Sequence, residues 1–129
     1  MGVFTVPVKL KNWQNRFLPK EKKGKEIQCE ALVDSGAAEL ALPEEHIERL
    51  KLEKLDTSDG AQHEYRVFGI VELEVQGRVC QVRVIELPHG AEPLLGAVPL
   101  EEMDWHISPL EKKMIPNPRS PEKPLLPLC

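Results

Sequence analysis

The sequence predicts a mostly-β fold with a single domain. Several segments alternate apolar and polar residues with the period of two that is typical of half-buried strands, whereas helical periodicity is confined to short stretches. A chain of 129 residues has room for one hydrophobic core. Its 41% apolar and 29% charged residues are typical of a globular domain, so a disordered or fibrous chain is not expected.

Two strands are predicted near the N-terminus, over residues 3–10 and 27–33. Pro7 cannot donate to a strand ladder, which favours an edge position or an irregular pairing for the first strand. The connection between the two strands is rich in lysine and could form a patch for phosphate or RNA. A solvated loop is favoured, because Glu21 and Glu26 interrupt the lysines and no aromatic residue lies among them. These lysines are Lys20, Lys22, Lys23 and Lys25.

The clearest predicted element is a β-hairpin in the middle of the chain. Apolar residues alternate with polar ones over 71–75 and again over 80–84. Gly77, between the two runs, can take the positive φ that a tight turn needs. Cys80 falls on the apolar side of the hairpin, which predicts packing rather than reactivity. The preceding polar segment, 52–67, carries a turn signal, and we interpret it as a projecting hairpin.

Two short helices are predicted, over residues 43–51 and 99–105. The first begins with proline and two glutamates and ends with basic residues, which suits the helix dipole. Ile47 and Leu50 lie three residues apart on this helix, so we expect them to face the core. After Ile115 the composition changes, since five of the twelve prolines fall between residues 116 and 127. We therefore predict a folded domain over 1–118 and an extended or disordered Pro-rich tail over 119–129.

Charge and cysteine usage exclude several classes of function. A net charge of −4 argues against nucleic-acid binding through bulk charge. No apolar run approaches the roughly 20 residues of a membrane span, and the alternating N-terminus does not resemble a secretory signal. The three cysteines and four histidines lack metal-finger spacing, so we predict a reduced, cytoplasmic protein without zinc chemistry.

The most informative motif is Leu32-Val33-Asp34-Ser35-Gly36-Ala37. An acid directly follows an apolar strand and enters a turn, where Gly36 lets the backbone change direction sharply. The Ser35 hydroxyl could bond to neighbouring backbone and hold the loop. Asp-Ser-Gly alone is a common turn sequence, so these residues indicate a positioned, partly buried Asp34 without defining its chemistry.

The order of motifs resembles the retropepsin-like aspartic proteases (clan AA), including their small single-domain bacterial members. In that family an apolar pair precedes Asp-Thr/Ser-Gly-Ala, a flap hairpin follows, and an apolar-apolar-Gly motif precedes the C-terminal helix. The matching pieces here are residues 32–37, the segment 52–67, Leu94-Leu95-Gly96 and the predicted helix 99–105. The resemblance covers residues 3–118 and implies a closed retropepsin-like β-barrel with a flap hairpin and one or two short helices.

The resemblance also implies an activity, namely an aspartic-type endopeptidase in which two carboxylates activate one water. This chain has one Asp-Ser-Gly, so the second carboxylate would be Asp34 of another copy in a homodimer. Residues Ser35, Gly36, Ala37, Leu94, Leu95 and Gly96 would support the loop. An extended peptide or protein substrate would be covered by flap residues Asp59, Gly60, Ala61 and Tyr65. No nucleic acid, membrane, metal or cofactor is implied.

Three alternatives stay open from the sequence. The chain could be an inactive retropepsin-like module that dimerises or binds peptides, because a fold does not determine a function. It could be a structural β-barrel that binds a partner through the Pro-rich tail. The third alternative is a serine hydrolase acting through Ser35, although Ser35 lacks the Gly-x-Ser-x-Gly elbow and an assigned base.

Overall fold

The structure, a computed structural model, describes residues 4–55, 66–108 and 113–116. Within these ranges the chain forms nine strands, two α-helices and two short 3₁₀ helices. In chain order they are β1 (Phe4–Asn12), the 3₁₀ helices Trp13–Phe17 and Lys20–Lys22, β2 (Ile27–Val33), β3 (Leu40–Pro43), α1 (Glu44–Leu50), β4 (Glu53–Lys54), β5 (Val67–Val75), β6 (Arg78–Leu87), β7 (Leu94–Leu95), α2 (Ala97–Glu102), β8 (Trp105–Ser108) and β9 (Lys113–Pro116).

Six strands close into a barrel. The main sheet has the order β1-β2-β7-β3-β6-β5-β4, and a further pairing of β1 with β5 joins its two sides. β4 lies outside this ring and pairs with β5. The pairs β2–β7 and β3–β6 are parallel, whereas β1–β2, β1–β5 and β5–β6 are antiparallel. The prediction of a mostly-β closed barrel with two short helices is confirmed.

The two N-terminal strands pair as their alternation predicts. Val6, Val8 and Leu10 of β1 are buried, while Pro7 and Lys9 between them are exposed. Pro7 lies opposite Glu30 of β2, and the pairing of β1 with β5 begins only at Lys9. Pro7 therefore lies where β1 has one neighbouring strand in the described part of the chain, a position that tolerates a missing N–H.

Aliphatic side chains from the strands and from α1 fill the barrel. Ile47 and Leu50 of α1 are buried, as predicted. Cys80 is buried as well, and desolvation, with a smaller contribution from Glu102, raises the pKa of its thiol to about 12. A thiol in this state packs as a small apolar group. The largest fully buried side chains are Leu10, Leu40, Leu42, Leu50, Leu73, Leu95 and Met103.

The central hairpin is formed by β5 and β6 and is also confirmed. Its tip consists of Gln76 and Gly77, with φ values of 50° and 87°. Positive φ at both central residues is the geometry of the two-residue turns that match the twist of paired strands. The base of the predicted projecting hairpin is the pairing of Glu53 and Lys54 with Gly69 and Phe68. The remainder of that hairpin, 56–65, lies outside the described residues.

The second helix differs from its prediction at both ends. It begins at Ala97, so Pro99 lies in the first turn, where its missing N–H is harmless. It ends at Glu102, because Asp104 takes a left-handed conformation with φ 61°. Trp105 then begins β8, and its ring packs under the guanidinium of Arg78 at 4.7 Å.

A second sheet follows α2 and was not predicted. It consists of β8 and β9, which pair from Trp105 opposite Pro116 to Ser108 opposite Lys113. The predicted tail, 119–129, lies outside the described residues. Neither helix in the described ranges has the length and hydropathy that a bilayer crossing requires.

Candidate functional site

Asp34 lies directly after β2, at the point where that strand runs beside β7. Leu32 and Val33 pair in parallel with Leu94 and Leu95. The Leu32 N–H donates to the Pro93 carbonyl at 2.8 Å, and the Asp34 N–H donates to the Leu95 carbonyl at 3.1 Å. The barrel therefore fixes the backbone of Asp34, whereas the position of its side chain depends on the loop that follows.

The loop after Asp34 is a tight turn closed by the aspartate itself. The Ala37 N–H donates to the Asp34 carbonyl at 3.1 Å, and the Gly36 N–H donates to the Asp34 Oδ1 at 2.9 Å. A Cβ at Gly36 would lie 3.2 Å from this Oδ1, so the glycine permits the close approach. Asp34 is half-buried and Ser35 is exposed. One carboxylate oxygen is thus held by a backbone donor in a partly open position.

Gly96 locks this loop against the start of α2. The N–H groups of Ala97 and Val98 donate to the carbonyls of Ala37 and Ala38, both at 2.8 Å. A Cβ on Gly96 would lie 2.5 Å from the Glu39 carbonyl oxygen, a distance that real side chains do not reach. The structure therefore brings together the Asp-Ser-Gly-Ala turn and Leu94-Leu95-Gly96, two motifs that lie about 60 residues apart in the sequence.

A charged pair that the sequence did not reveal flanks the end of this loop. Arg83 of β6 donates to both carboxylate oxygens of Glu39: its Nη2 lies 2.8 Å from Oε2, and its Nε lies 3.2 Å from Oε2 and 3.4 Å from Oε1. Glu39 is 19% exposed and Arg83 is 56% exposed, so the pair adds little to stability. It neutralises the carboxylate beside the turn and ties the loop to β6.

The other reactive side chains of the described ranges do not form a competing centre. Burial, followed by the neighbouring charge of Glu30, raises the pKa of the Cys29 thiol, so this cysteine is not an activated nucleophile. The Ser35 hydroxyl has no hydrogen-bonded base in the described part of the chain. No group of three His, Cys, Asp or Glu in these ranges is arranged to hold a metal ion. Among these groups, Asp34 is the one whose position is fixed jointly by a strand, a turn donor and the contact with Gly96.

The four predicted flap residues, Asp59, Gly60, Ala61 and Tyr65, lie outside the described residues. Their role stays a prediction. The described anchor of this segment is β4, which begins three residues after α1 ends and pairs with β5.

Comparison with known proteins identifies the fold. The sequence matches no family model and no curated protein. Among solved structures, it is similar to a retropepsin-like aspartic protease from Rickettsia conorii, with a TM-score of 0.53 and 14% identity over 83% of this chain and 85% of that one. It is also similar to the retroviral protease-like domain of Ddi1 from Leishmania major, with a TM-score of 0.58 and 15% identity over 92% and 90% of the two chains. The chain has a retropepsin-like fold.

Proposed function

We propose that this protein is an aspartic-type endopeptidase that works as a homodimer, with Asp34 of each copy at the shared site. The observation that carries the proposal is the position of Asp34. A half-buried carboxylate follows β2, one of its oxygens accepts from the Gly36 N–H, and its turn is clamped by Gly96 of a retropepsin-like barrel. Such a group is held in place and still open to a substrate, as general acid–base chemistry requires.

The proposed reaction uses two Asp34 carboxylates that share one proton. The unprotonated carboxylate takes a proton from a water molecule while the water oxygen attacks the scissile carbonyl carbon. The protonated carboxylate gives its proton to the carbonyl oxygen, which produces a tetrahedral diol. The carboxyl group that took the water proton then gives it to the amide nitrogen as the C–N bond breaks. One diol hydroxyl returns its proton to the other carboxylate, which leaves a carboxylic acid and an amine as products and restores the shared proton. Two carboxylates about 3 Å apart cannot both ionise easily, so one proton is retained between them.

A single copy of the chain supplies one of the two carboxylates. Asp104, the other aspartate in the described ranges, follows α2 in a left-handed conformation and is not part of a strand-to-turn motif. A twofold axis that passes beside Asp34 would bring the second carboxylate to the first. The proposed substrate is an extended peptide segment that binds beside the two Asp34 carboxylates.

A subunit-mixing experiment tests the shared site. Wild-type chains and Asp34→Asn chains are unfolded, combined in equal amounts and refolded together, so that subunits pair at random. Only about one quarter of the dimers then carry two Asp34 carboxylates. We therefore expect about one quarter of the cleavage rate that the same total concentration of protein gives when all chains are wild type. Residual cleavage of one half, with random pairing verified by differently tagged chains, would mean that each chain acts alone.

Ser35 offers a second test of the interface. Its side chain is exposed, and its hydroxyl has no partner in the described part of the chain. We therefore predict that Ser35→Ala leaves the unfolding of the monomer unchanged and weakens the dimer, by about 0.5–1.5 kcal/mol for each hydrogen bond lost. Ser35→Thr keeps the hydroxyl and should behave like wild type. Sedimentation measurements of the dimer dissociation constant test this prediction. Equal dissociation constants for the wild type and both variants would contradict it.

A further inference from the structure

The connection between β1 and β2 concentrates positive charge in a protein that is acidic as a whole. Residues 13–25 hold five cations and one acid, whereas the complete chain has a net charge of −4. The four lysines of this stretch are exposed, and in the described part of the chain none of them takes part in a salt bridge. We call residues 13–25 the basic connection; its cations are Arg16, Lys20, Lys22, Lys23 and Lys25.

The basic connection is held in a fixed shape. The Asn15 side chain donates to the Gly24 carbonyl at 3.2 Å and accepts from the Gly24 N–H at 3.0 Å. A Cβ on Gly24 would lie 2.0 Å from the Leu50 carbonyl oxygen, so the loop packs directly on the end of α1. The Lys25 N–H also donates to the Arg49 carbonyl at 2.9 Å. Binding to a preorganised loop loses less conformational entropy than binding to a mobile one.

The basic connection also carries an aromatic side chain, three residues before the first of these lysines. Phe17 is 69% exposed, more than any other large apolar side chain in the described ranges. Its ring and that of Trp13 form an edge-to-face pair with centroids 5.4 Å apart, and the Arg16 guanidinium lies 5.1 Å from the centroid of the Trp13 ring. Arg16 in turn donates to Glu72 of β5 at 2.7 Å. The exposed Phe17 ring therefore packs on Trp13, and Trp13 is held by Arg16, which is anchored to the barrel.

We propose that the basic connection is a docking surface for an acidic segment of another protein, one that carries carboxylates next to an apolar side chain. The lysines would pair with the carboxylates, and Phe17 would be covered by the apolar group. Two basic residues at the end of α1, Arg49 and Lys51, are exposed and extend the surface, and the Lys51 Nζ already donates to the Glu21 carbonyl at 3.2 Å.

The pattern of charge favours a peptide over a nucleic acid. Glu21 interrupts the cations and Glu26 follows the last of them. A peptide can place uncharged residues opposite these acids, whereas a nucleic acid carries a phosphate at every nucleotide. Single-stranded nucleic-acid sites also offer several aromatic faces in succession. Here Phe17 is the one exposed ring of the basic connection, and the Trp13 face is occupied by Arg16.

This surface lies away from the candidate active site. Phe4 pairs with Val33, next to Asp34, while Leu10 pairs with Ile27 at the other end of the same two strands. The basic connection follows that far end. An acidic segment bound there would leave the Asp34 turn free, so the inference does not depend on the proposed proteolysis.

The test measures binding of a fluorescein-labelled peptide of twelve residues, composed of Glu and Asp with two Phe, by fluorescence polarisation. Lys22→Gln/Lys23→Gln should weaken binding about fivefold or more through the loss of two charge pairs. Lys9→Gln/Arg66→Gln removes the same charge from exposed sites outside the basic connection, of which Arg66 is ion-paired with Glu86, and should change binding less than twofold. Phe17→Ser should also weaken binding about fivefold, since the apolar contact is lost.

Four results overturn the proposal. The Lys22/Lys23 variant could bind as tightly as its charge-matched control, or the wild type could show no saturable binding of the acidic peptide. A labelled dT12 oligonucleotide, or vesicles containing phosphatidylserine, could bind the wild type more tightly than the peptide does. The substituted side chains are exposed, so circular dichroism should show an unchanged fold in each variant.

Discussion

Replacing Asp34 by asparagine is expected to abolish peptide cleavage while the barrel and the dimer persist. Asparagine has nearly the shape of aspartate, and its side-chain oxygen can still accept from the Gly36 N–H, now 2.9 Å from Oδ1. It cannot take a proton from water. In a symmetric dimer the substitution removes both carboxylates at once, and loss of general acid–base assistance alone lowers rates about 10²–10⁴-fold. The measurement is cleavage of a mixed peptide library.

The matched control for Asp34→Asn is Glu48→Gln. Glu48 is an exposed acid on α1, away from the turn that holds Asp34, so its neutralisation changes the net charge by the same amount. We expect Glu48→Gln to cleave like wild type. If Asp34→Asn is folded, dimeric and as active as wild type, the aspartic-protease proposal is wrong. If the wild type itself cleaves no peptide and binds the library without turnover, an inactive peptide-binding module becomes the better description.

The elements predicted correctly from the sequence are those whose signals are local. The β5–β6 hairpin follows from strict alternation around Gly77, whose φ of 87° few other residues adopt easily. The Asp34 turn follows from an apolar strand that ends in an acid and Gly36. The pairing of this turn with Leu94 and Leu95 was implied by the family resemblance, because nothing in either segment alone indicates its partner.

The features that the sequence did not reveal depend on contacts between distant residues. Glu39 and Arg83 are 44 residues apart, and no periodicity connects them. The same holds for Glu45, whose carboxylate accepts from the Gly90 N–H at 3.0 Å and thereby fixes the loop before β7. The end of α2 also depends on such a contact, since Arg78 donates at 3.0 Å to the carbonyls of Met103 and Asp104, 25 and 26 residues away.

The second large effect is expected for Gly96→Ala, in both stability and activity. The backbone of Gly96 has φ −91°, which alanine adopts readily, so the obstacle is steric. The added methyl group would lie 2.5 Å from the Glu39 carbonyl oxygen, 2.7 Å from the Ala38 carbonyl carbon and 2.8 Å from the Ala37 carbonyl oxygen. These are backbone atoms of the loop that holds Asp34, and they can give way only if that loop moves.

Moving the loop would break its two 2.8 Å hydrogen bonds with the start of α2 and displace the Asp34 carboxylate. Forcing a methyl group into packed surroundings destabilises a fold by about 1–3 kcal/mol, occasionally more, and we expect the upper end of this range. Gly77→Ala is the control, because nothing lies within 4 Å of its added Cβ and only the positive φ is penalised, by roughly 1–2 kcal/mol.

Urea unfolding of both variants, with kcat/KM on a cleaved peptide, separates the two effects. Gly77→Ala should lose stability alone, whereas Gly96→Ala should lose stability and turnover together. A Gly96→Ala protein with the unfolding midpoint and kcat/KM of wild type would show that the contact between Gly96 and the loop does not hold Asp34 in place.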